Sequence, residues 1–299
     1  TLRTLTQGAE EVVRSRLVEL GQKLAFSRTG LAAPPALLAR LKNWGIPEDI
    51  GEPWKVFVLC IAERLDEGIK PLRENLELLI SNLTESGAIL TVDLYVRPVL
   101  RLINSFGLHL ARLDVRQNSD AYDLALGQMM EAAGIDDGQN FRQWSLPRKL
   151  EFLNQELNHP RPMTHASMEL PAEAEEVRAT FSELVDHLDA RGPEGLGCLV
   201  VSMTRSVADL LVVCVLGKEV GLTRVRNGEM GCALPVVPLF ETYEDLEAAP
   251  GIIDDFLAHP CARASLRKNG SIASQVIMLG YSDSNKDTGI IASQWALQR

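Results

Sequence analysis

Apolar positions in the first third of the chain recur with the spacing of an α-helix. Residues 4–26 carry one such stripe, with charged side chains on the other faces, and its apolar members are Val13, Leu17, Leu20 and Leu24. A connection punctuated by proline and glycine follows from Ala32 to Pro53, and helical patterns resume over 54–68 and around Leu72–Leu83. We therefore predict an all-helical portion over residues 1–95.

A different pattern begins near residue 96, where continuous apolar runs end abruptly in charged side chains. Such runs are typical of strands in parallel sheets, which are buried on both faces and carry functional groups where their carboxyl ends meet solvent. The predicted strands are Phe106–Ala111, Cys198–Met203, Leu234–Phe240 and Val276–Leu279. Because helical patterns alternate with these strands, residues 96–299 are predicted to form a parallel α/β arrangement.

Several helices are predicted between the strands. After the second strand, Ser206 and Asp209 have the spacing of a capping box and open a helix from about Leu210 to Gly221. Other helices are predicted over 93–105, 120–133 and 172–190. The segment 144–171 is interrupted by prolines and is predicted to be less regular.

Composition narrows the class of protein. The chain has 299 residues, 46% of them hydrophobic, which supports a sizeable core. A formal net charge of −10 argues against nucleic-acid and membrane partners, which select for clustered lysine and arginine. The five cysteines are far apart and are expected to be reduced and buried. Since no secretory signal and no apolar run of about 18 residues occurs, we expect a cytoplasmic protein.

Two carboxylates at predicted strand ends are candidate metal ligands. Glu241 follows the third strand and Asp283 the fourth, and carboxylate oxygens suit a hard cation such as Mg²⁺, with Mn²⁺ as a substitute. The five histidines have no zinc-ligand spacing. The alternative, helix caps or surface charges, stays open at this point.

Two cations accompany these carboxylates. Arg116 follows the first predicted strand, and Lys286 lies three residues after Asp283. Arginine meets a phosphate or carboxylate through a planar fork, whereas lysine acts as a compact point charge. The alternative for both residues is a salt bridge within the fold.

Four motifs together resemble one enzyme family. They are Phe106–Gln117, Val201–Met203 with Asp209, Leu234–Thr242 and Leu279–Asp287. In this order they are similar to the internal signatures of the phosphoenolpyruvate carboxylase family. The resemblance extends through the helical portion, so it covers essentially the whole chain.

This resemblance implies a fold and a reaction. The fold is a helix-rich α/β structure that forms part of a (β/α)₈ TIM-type barrel of the phosphoenolpyruvate/pyruvate superfamily, with a large helical amino-terminal portion. The reaction is Mg²⁺-dependent carboxylation of phosphoenolpyruvate by bicarbonate, which gives oxaloacetate and phosphate through carboxyphosphate and the enolate of pyruvate. Glu241 and Asp283 fall at the family's metal ligands, Arg116 at the arginine that holds the substrate phosphate, and Lys286 at the lysine associated with bicarbonate and the enolate. The family forms homotetramers.

The chain also departs from the family pattern. We find no counterpart of the family's catalytic histidine segment or of its later glycine- and arginine-rich loop, and His259-Pro260 has different neighbours and a different location. We therefore expect an internal piece of a longer enzyme that forms no oxaloacetate alone, and detection of bicarbonate-dependent oxaloacetate would contradict this. Residues 222–231 exceed the family's short link and are expected to form an exposed loop.

Two other classes of function are open. One is a non-catalytic paralogue that keeps the scaffold for interactions, although it would have no need for the four candidate site residues. The other is a different Mg²⁺-dependent lyase acting on phosphoenolpyruvate or pyruvate, which would not depend on bicarbonate.

Overall fold

A computed structural model describes residues 2–25, 31–47, 49–268, 271–272 and 274–298. The chain divides into two compact units, Thr1–Arg112 and Leu113–Arg299. The predicted helix-rich α/β class with a parallel sheet is confirmed, whereas the predicted boundary after residue 95 stays a prediction. Among the helices of the described residues, none has both the length and the apolar character needed to span a membrane.

The first unit is built from helices. They are α1 (Leu2–Lys23), α2 (Pro35–Asn43), α3 (Pro53–Glu63), a 3₁₀ turn (Leu65–Glu67), α4 (Ile69–Glu85), the single turn α5 (Ile89–Thr91), a π-helical turn (Val92–Val96) and α6 (Arg97–Phe106). The predicted stripes on α1 and α4 are buried in one core, which confirms the helical periodicity. Phe26, at the predicted end of the first helix, lies outside the described residues.

Helix α2 lies in the segment that we interpreted as a connection. Pro35 occupies the first turn of the helix, where the missing N–H has no intrahelical partner to lose. Leu37 and Leu41, one turn apart, are both buried. The spacing of these two leucines is a helical pattern that could have predicted α2, but the surrounding prolines indicated a connection.

The second unit contains a parallel sheet. Its strands are β1 (Leu113–Asn118), β2 (Leu196–Ser202), β5 (Val236–Phe240) and β8 (Met278–Leu279), in that spatial order. Two antiparallel pairs accompany it, namely β3 (Thr223–Arg226) with β4 (Glu229–Cys232) and β6 (Arg267–Lys268) with β7 (Ser271–Ile272). The carboxyl ends of the four parallel strands therefore lie in a row at one end of the sheet, which we call the carboxyl edge; it differs from the outer strands β1 and β8 that flank the sheet.

Helices connect the parallel strands. They are α7 (Ser119–Ala132), a 3₁₀ segment (Gly138–Gln143), α8 (Leu146–Asn158), α9 (Ala172–Arg191), α10 (Val207–Glu219), α11 (Tyr243–Ala258), α12 (Pro260–Leu266), α13 (Tyr281–Thr288) and α14 (Ile290–Gln298). The predicted capping box of Ser206 and Asp209 is present at the start of α10. Helix α10 is apolar on every face and almost wholly buried, as expected of a helix surrounded by protein.

The first predicted strand is wrong in position. Phe106 ends α6, and residues 107–112 form turns rather than a strand, so His109 does not lie within a strand. Gly107 and Leu110 adopt left-handed φ values of 58° and 67°, which extended backbone excludes. Strand β1 begins only at Leu113 and carries Arg116 near its end.

The last predicted strand is short and partly exposed. Only Met278 and Leu279 pair with β5, and Val276, Ile277 and Leu279 are 40–50% exposed. The expectation that this run is buried on both faces is therefore wrong. The physical reason is that β8 lies at the edge of the described sheet, with β5 as its one neighbour there.

Two other segments are more regular than predicted. Within 144–171, helix α8 forms because Pro147 falls in its first turn, and it is joined to α10 by an ion pair between Glu156 and the fully buried Lys218. The predicted loop over 222–231 is instead the β3–β4 hairpin. Asn227 and Gly228 have φ values of 53° and 83°, the signature of the tight turn that Asn-Gly favours.

His259 joins α8 to the start of α12. Its Nδ1 accepts a hydrogen bond from the Cys261 amide at 3.2 Å, and its Nε2 lies 2.8 Å from Asn154 Oδ1. These partners require the neutral ring with the proton on Nε2. Burial lowers the pKa of His259 below its ordinary value, and the nearby Arg263 lowers this pKa further.

We expect protonation of His259 to destabilise the second unit. Because the folded-state pKa lies below 6.5, the unfolded chain binds the proton more readily between these two values. The stabilisation is thus complete above the unfolded pKa and is lost as the pH falls through the folded one. Urea unfolding at about pH 7.5 and about pH 5.5 should show a smaller loss for His259→Asn, which keeps a capping oxygen but does not titrate.

The matched control is His165→Asn, which changes an exposed histidine. This variant should keep the pH dependence of the parent chain. An unchanged pH dependence in His259→Asn would contradict the prediction.

Candidate functional site

At the carboxyl edge of the sheet, strands β1, β2 and β5 are each followed by a helix that begins with a side-chain cap. The Asn118 side chain accepts from the Asp120 amide at 2.8 Å and opens α7, while capping boxes open α10 and α11. In the second of these boxes Thr242 and Asp245 bond each other's amides at 3.2 Å. Glu241 is thus the single residue between the end of β5 and Thr242, the N-cap of α11.

Glu241 is the central group of this edge. Its side chain is 11% exposed, and each carboxylate oxygen has a partner from a different strand end. Oε1 lies 2.7 Å from Nη2 of Arg116 on β1, and Oε2 accepts the Met203 amide at 3.0 Å, just after β2. A buried carboxylate requires such compensation, because transfer of an unpaired charge out of water is very costly.

Arg116 places a positive charge beside Glu241 at a position that solvent can reach. Its side chain is 56% exposed, so water screens the ion pair and its contribution to stability is small. That same exposure leaves guanidinium donors directed toward solvent. Arg116 therefore combines a contact to Glu241 with capacity to bind an anion.

Besides the bond from the Met203 amide to Glu241, three hydrogen bonds hold the turn after β2. The Met203 carbonyl accepts from Ser119 Oγ at 2.8 Å, and the Thr204 hydroxyl donates to the Val201 carbonyl at 2.8 Å. The Thr204 amide reaches the Leu239 carbonyl of β5 at 3.3 Å. The turn therefore spans the ends of β1, β2 and β5.

Asp209, in the first turn of α10, also holds the turn after β2. Its Oδ2 accepts the amides of Arg205 and Ser206, each at 2.8 Å. Burial raises the pKa of Asp209, and these two amides partly oppose that rise. Asp209 is thus a buried structural carboxylate.

Gly280 allows the chain after β8 to pass against Glu241. Its amide donates to the Phe240 carbonyl at 2.8 Å. A Cβ at this position would lie 3.0 Å from Glu241 Cγ and 3.1 Å from Glu241 Cα. Helix α13 consequently begins directly beside Glu241.

Asp283 and Lys286 lie on α13, one turn apart. Lys286 Nζ is 3.5 Å from Asp283 Oδ1, and the side chains are 78% and 48% exposed, respectively. The α13 helix is also tied to the start of α11, because Asp287 Oδ2 accepts the Tyr243 amide at 3.1 Å. The structure therefore pairs Arg116 with Glu241 and Lys286 with Asp283 along the same edge of the sheet.

The donor set fits a hard cation in its chemistry. Glu241 and Asp283 offer carboxylate oxygens, which Mg²⁺ prefers. Within the part of the chain that the structure describes, no cluster of three or more histidine, cysteine, aspartate or glutamate side chains is arranged to hold a metal. Two carboxylates with solvent on one side suit an ion that keeps several of its waters.

The five cysteines are not part of this site. All five cysteines are free, and Cys214, Cys232 and Cys261 are buried as predicted, whereas Cys60 and Cys198 are only partly buried. Burial and the neighbouring Asp114 raise the pKa of Cys198 to about 12, so its thiol is unreactive.

Sequence reasoning did not find the Met203 and Ser119 contacts to this site. Met203 has a φ of 55°, a left-handed value that a methionine rarely adopts. No local pattern predicts that value, since it depends on distant partners, Ser119 at the start of α7 and Glu241 just after β5. Ser119 lies beside a recognisable cap at Asn118, but its hydroxyl bonds elsewhere.

The fold and this edge define a class of protein: a helix-rich α/β protein with carboxylates and cations at the carboxyl ends of parallel strands. A family model described as phosphoenolpyruvate carboxylase matches residues 9–299. The chain belongs to the phosphoenolpyruvate carboxylase family.

Curated relatives agree with this family. A phosphoenolpyruvate carboxylase of Rhodothermus marinus is 39% identical over 67% of this chain and 22% of its own length. Those of Methylorubrum extorquens and Mycobacterium avium are 32% and 31% identical over 96% and 95% of this chain. The chain spans 34% and 32% of those two relatives, about a third of their length.

We expect Gly280→Ala to destabilise the second unit. The added methyl group would press on Glu241 and on the Phe240 carbonyl at 3.1 Å, and overpacking of this kind costs about 1–3 kcal/mol. Chemical denaturation of the purified chain measures this difference.

Gly251→Ala is the matched control. Gly251 lies in α11 with no atom near the added methyl group, so alanine should stabilise the helix by about 0.5–1 kcal/mol. Equal stabilities of Gly280→Ala and the parent chain would show that Glu241 is not closely packed there.

Proposed function

We propose that this chain carries part of the active site of a phosphoenolpyruvate carboxylase, which forms oxaloacetate and phosphate from phosphoenolpyruvate and bicarbonate. The observation that carries the proposal is the pairing of Arg116 with Glu241 at the carboxyl ends of β1 and β5, together with a second ion pair, Lys286 with Asp283, on the helix that follows β8. Membership of the family supports the reaction class. The relatives are about three times longer, so the proposal concerns the activity of the protein that contains this chain.

Glu241 and Asp283 would hold Mg²⁺, or Mn²⁺ in its place. The bound ion would supply Lewis-acid stabilisation of the negative charge that develops on the enolate oxygen. Glu241 suits this role because its Oε2 is fixed by the Met203 amide, which orients the carboxylate. Asp283, being half exposed, brings a second negative charge from a separate element.

Arg116 would bind the phosphate of phosphoenolpyruvate. Its guanidinium can present two parallel donors to phosphate oxygens, and its exposure leaves them accessible. The contact to Glu241 keeps the side chain directed to the sheet edge. A chain with a net charge of −10 needs such a local cation to attract an anionic substrate.

Lys286 would act on the second substrate. Its ammonium is a mobile point charge at a largely exposed position, suited to bicarbonate and to the oxygen that becomes the enolate. In the proposed first step, bicarbonate oxygen bonds to phosphorus and the bond from phosphorus to the enol oxygen breaks, which gives carboxyphosphate and the enolate of pyruvate. In the second step, the enolate carbon bonds to the carboxyl carbon as the C–O bond to phosphate breaks, which gives oxaloacetate and releases inorganic phosphate. Arg116 and Lys286 would neutralise charge throughout these steps.

We also propose that the described sheet is part of a (β/α)₈ barrel. Its parallel strands follow chain order and helices connect them, which is the repeating unit of such a barrel. An experimental structure of the complete protein in which β1 or β8 ended an open sheet would contradict this. The homotetramer and the cytoplasmic location are proposed from the family likeness alone, and sedimentation of the complete protein as a monomer would contradict the former.

We expect the chain to bind Mn²⁺ through its two carboxylates. Loss of partners that merely orient a ligand weakens metal affinity about 10–100-fold, so Glu241→Gln and Asp283→Asn should each weaken Mn²⁺ binding at least about tenfold. Electron paramagnetic resonance of free Mn²⁺ measures the affinity.

Asp254→Asn is the control, because it removes an exposed carboxylate from α11. This variant should bind Mn²⁺ like the parent chain. Undiminished Mn²⁺ binding by both site variants would reject Glu241 and Asp283 as ligands.

We expect phosphoenolpyruvate to bind the Mn²⁺-saturated chain through Arg116. Hydrogen bonds to charged groups are worth about 1.5–3 kcal/mol, so Arg116→Ala should weaken binding about 10–100-fold. Arg116→Lys should have an intermediate effect, because it keeps the charge but not the fork. Isothermal titration calorimetry gives these affinities.

Two further variants sharpen this measurement. Lys286→Ala should weaken phosphoenolpyruvate binding less than Arg116→Ala does, and Arg226→Ala, in the exposed hairpin, should leave it unchanged. Equal affinities of Arg116→Ala and Arg226→Ala would contradict the assigned role of Arg116.

A further inference from the structure

Ser119 is a buried residue at the sheet edge that the proposed chemistry does not use. It is the first residue of α7 and is only 3% exposed. The neighbouring Asn118 caps the helix, whereas the Ser119 hydroxyl donates across to the Met203 carbonyl at 2.8 Å. The hydroxyl therefore serves the turn after β2 rather than its own helix.

Met203 is the link between Ser119 and Glu241. Its amide donates to Glu241 Oε2 at 3.0 Å, and its carbonyl accepts from Ser119. The two peptide groups on either side of one Cα atom are therefore held by β5 and by the start of α7. Rotation of either group would change the direction in which the amide points at the carboxylate.

The backbone of Met203 needs such support. Its left-handed φ of 55° is unfavourable for a residue with a Cβ, and conformations of this kind persist only when surrounding contacts over-determine them. Without the Ser119 hydroxyl, one of those contacts would be lost and the carbonyl would lose a buried partner. The turn would then sample other conformations, and the amide would leave Glu241.

We propose that Ser119 is a positioning residue for Glu241: through the Met203 turn it holds the carboxylate with Oε2 on the Met203 amide and Oε1 directed to Arg116 and to the proposed cation position. As a statement about metal binding, this inference rests on the function proposed above. As a statement about the carboxylate, it rests only on the two hydrogen bonds that join Ser119 to Met203 and Met203 to Glu241, and on the left-handed backbone of Met203. The Ser119 hydroxyl bonds Met203, which in turn bonds Glu241, so the effect of Ser119 on the carboxylate is indirect.

Hydrogen exchange of the Met203 amide and Mn²⁺ affinity together test the inference on the 299-residue chain. Ser119→Ala should speed Met203 amide exchange and weaken Mn²⁺ binding, each by about threefold to tenfold, since one buried hydrogen bond is removed. Ser119→Thr keeps the hydroxyl and should restore both values toward those of the parent. If the alanine variant does not fold, Ser119→Cys, with a weaker donor of similar size, should show smaller changes in the same direction.

Ser265→Ala is the matched control. Its hydroxyl donates to the Cys261 carbonyl at 2.7 Å and accepts the Cys232 amide at 2.8 Å, so it also bridges two elements of this unit. This variant should lose thermal stability but keep the Met203 exchange rate and the Mn²⁺ affinity. Equal effects of Ser265→Ala and Ser119→Ala would overturn the inference, because Ser119 would then have only a general structural role.

The outcomes separate this inference from the proposed function. If the Met203 amide of Ser119→Ala exchanges as slowly as in the parent chain, the positioning role is overturned, whether or not the Mn²⁺ affinity changes. Absence of Mn²⁺ binding in the parent chain overturns the metal site, while faster Met203 exchange in Ser119→Ala would still support the hold on Glu241. Parent-like Mn²⁺ affinity in Ser119→Ala, with faster exchange, overturns the effect on metal binding alone.

Discussion

The second unit depends at its sheet edge on one constraint, the satisfaction of a buried carboxylate. Glu241 cannot be removed from water unless both of its oxygens find partners. The partners come from outside its own strand: Arg116 from β1 and the Met203 amide from the turn after β2. A carboxylate at the end of one strand thus fixes the relative positions of three strand ends.

Local sequence makes this convergence possible. Strands β1, β2 and β5 each pass into a helix through a side-chain cap, so that only a short turn separates the last strand residue from a fixed helix start. The helices then hold the turns in place, and the turns hold the carboxylate. Gly280 also supports this arrangement. Because it has no side chain, the backbone after β8 can pack directly against Glu241. Rigid elements therefore support the site even though its groups lie in turns.

The sequence was sufficient for features that depend on local periodicity. The α1 and α4 stripes, β2, β5 and the capping box of Ser206 were predicted and are confirmed, because burial and capping leave a pattern within a few residues. For Arg116 a salt bridge within the fold was an open alternative, but Glu241 was not predicted as its partner. The start of β1 and the left-handed Met203 were not predicted, since their conformations depend on distant partners. Helix α8 was missed because Pro147 was interpreted as an interruption rather than as a first-turn residue.

A backbone conformation that is unfavourable for methionine lies directly beside the buried carboxylate. A left-handed methionine costs on the order of 1–3 kcal/mol, and a glycine at that position would avoid most of this cost. A flexible glycine, however, would leave the amide free to turn away from Glu241. A strained residue whose amide and carbonyl are both bonded gives a narrower distribution of carboxylate orientations. Because one Glu241 oxygen meets Arg116 and the other meets the Met203 amide, this restriction keeps both contacts in place at the cost of that strain.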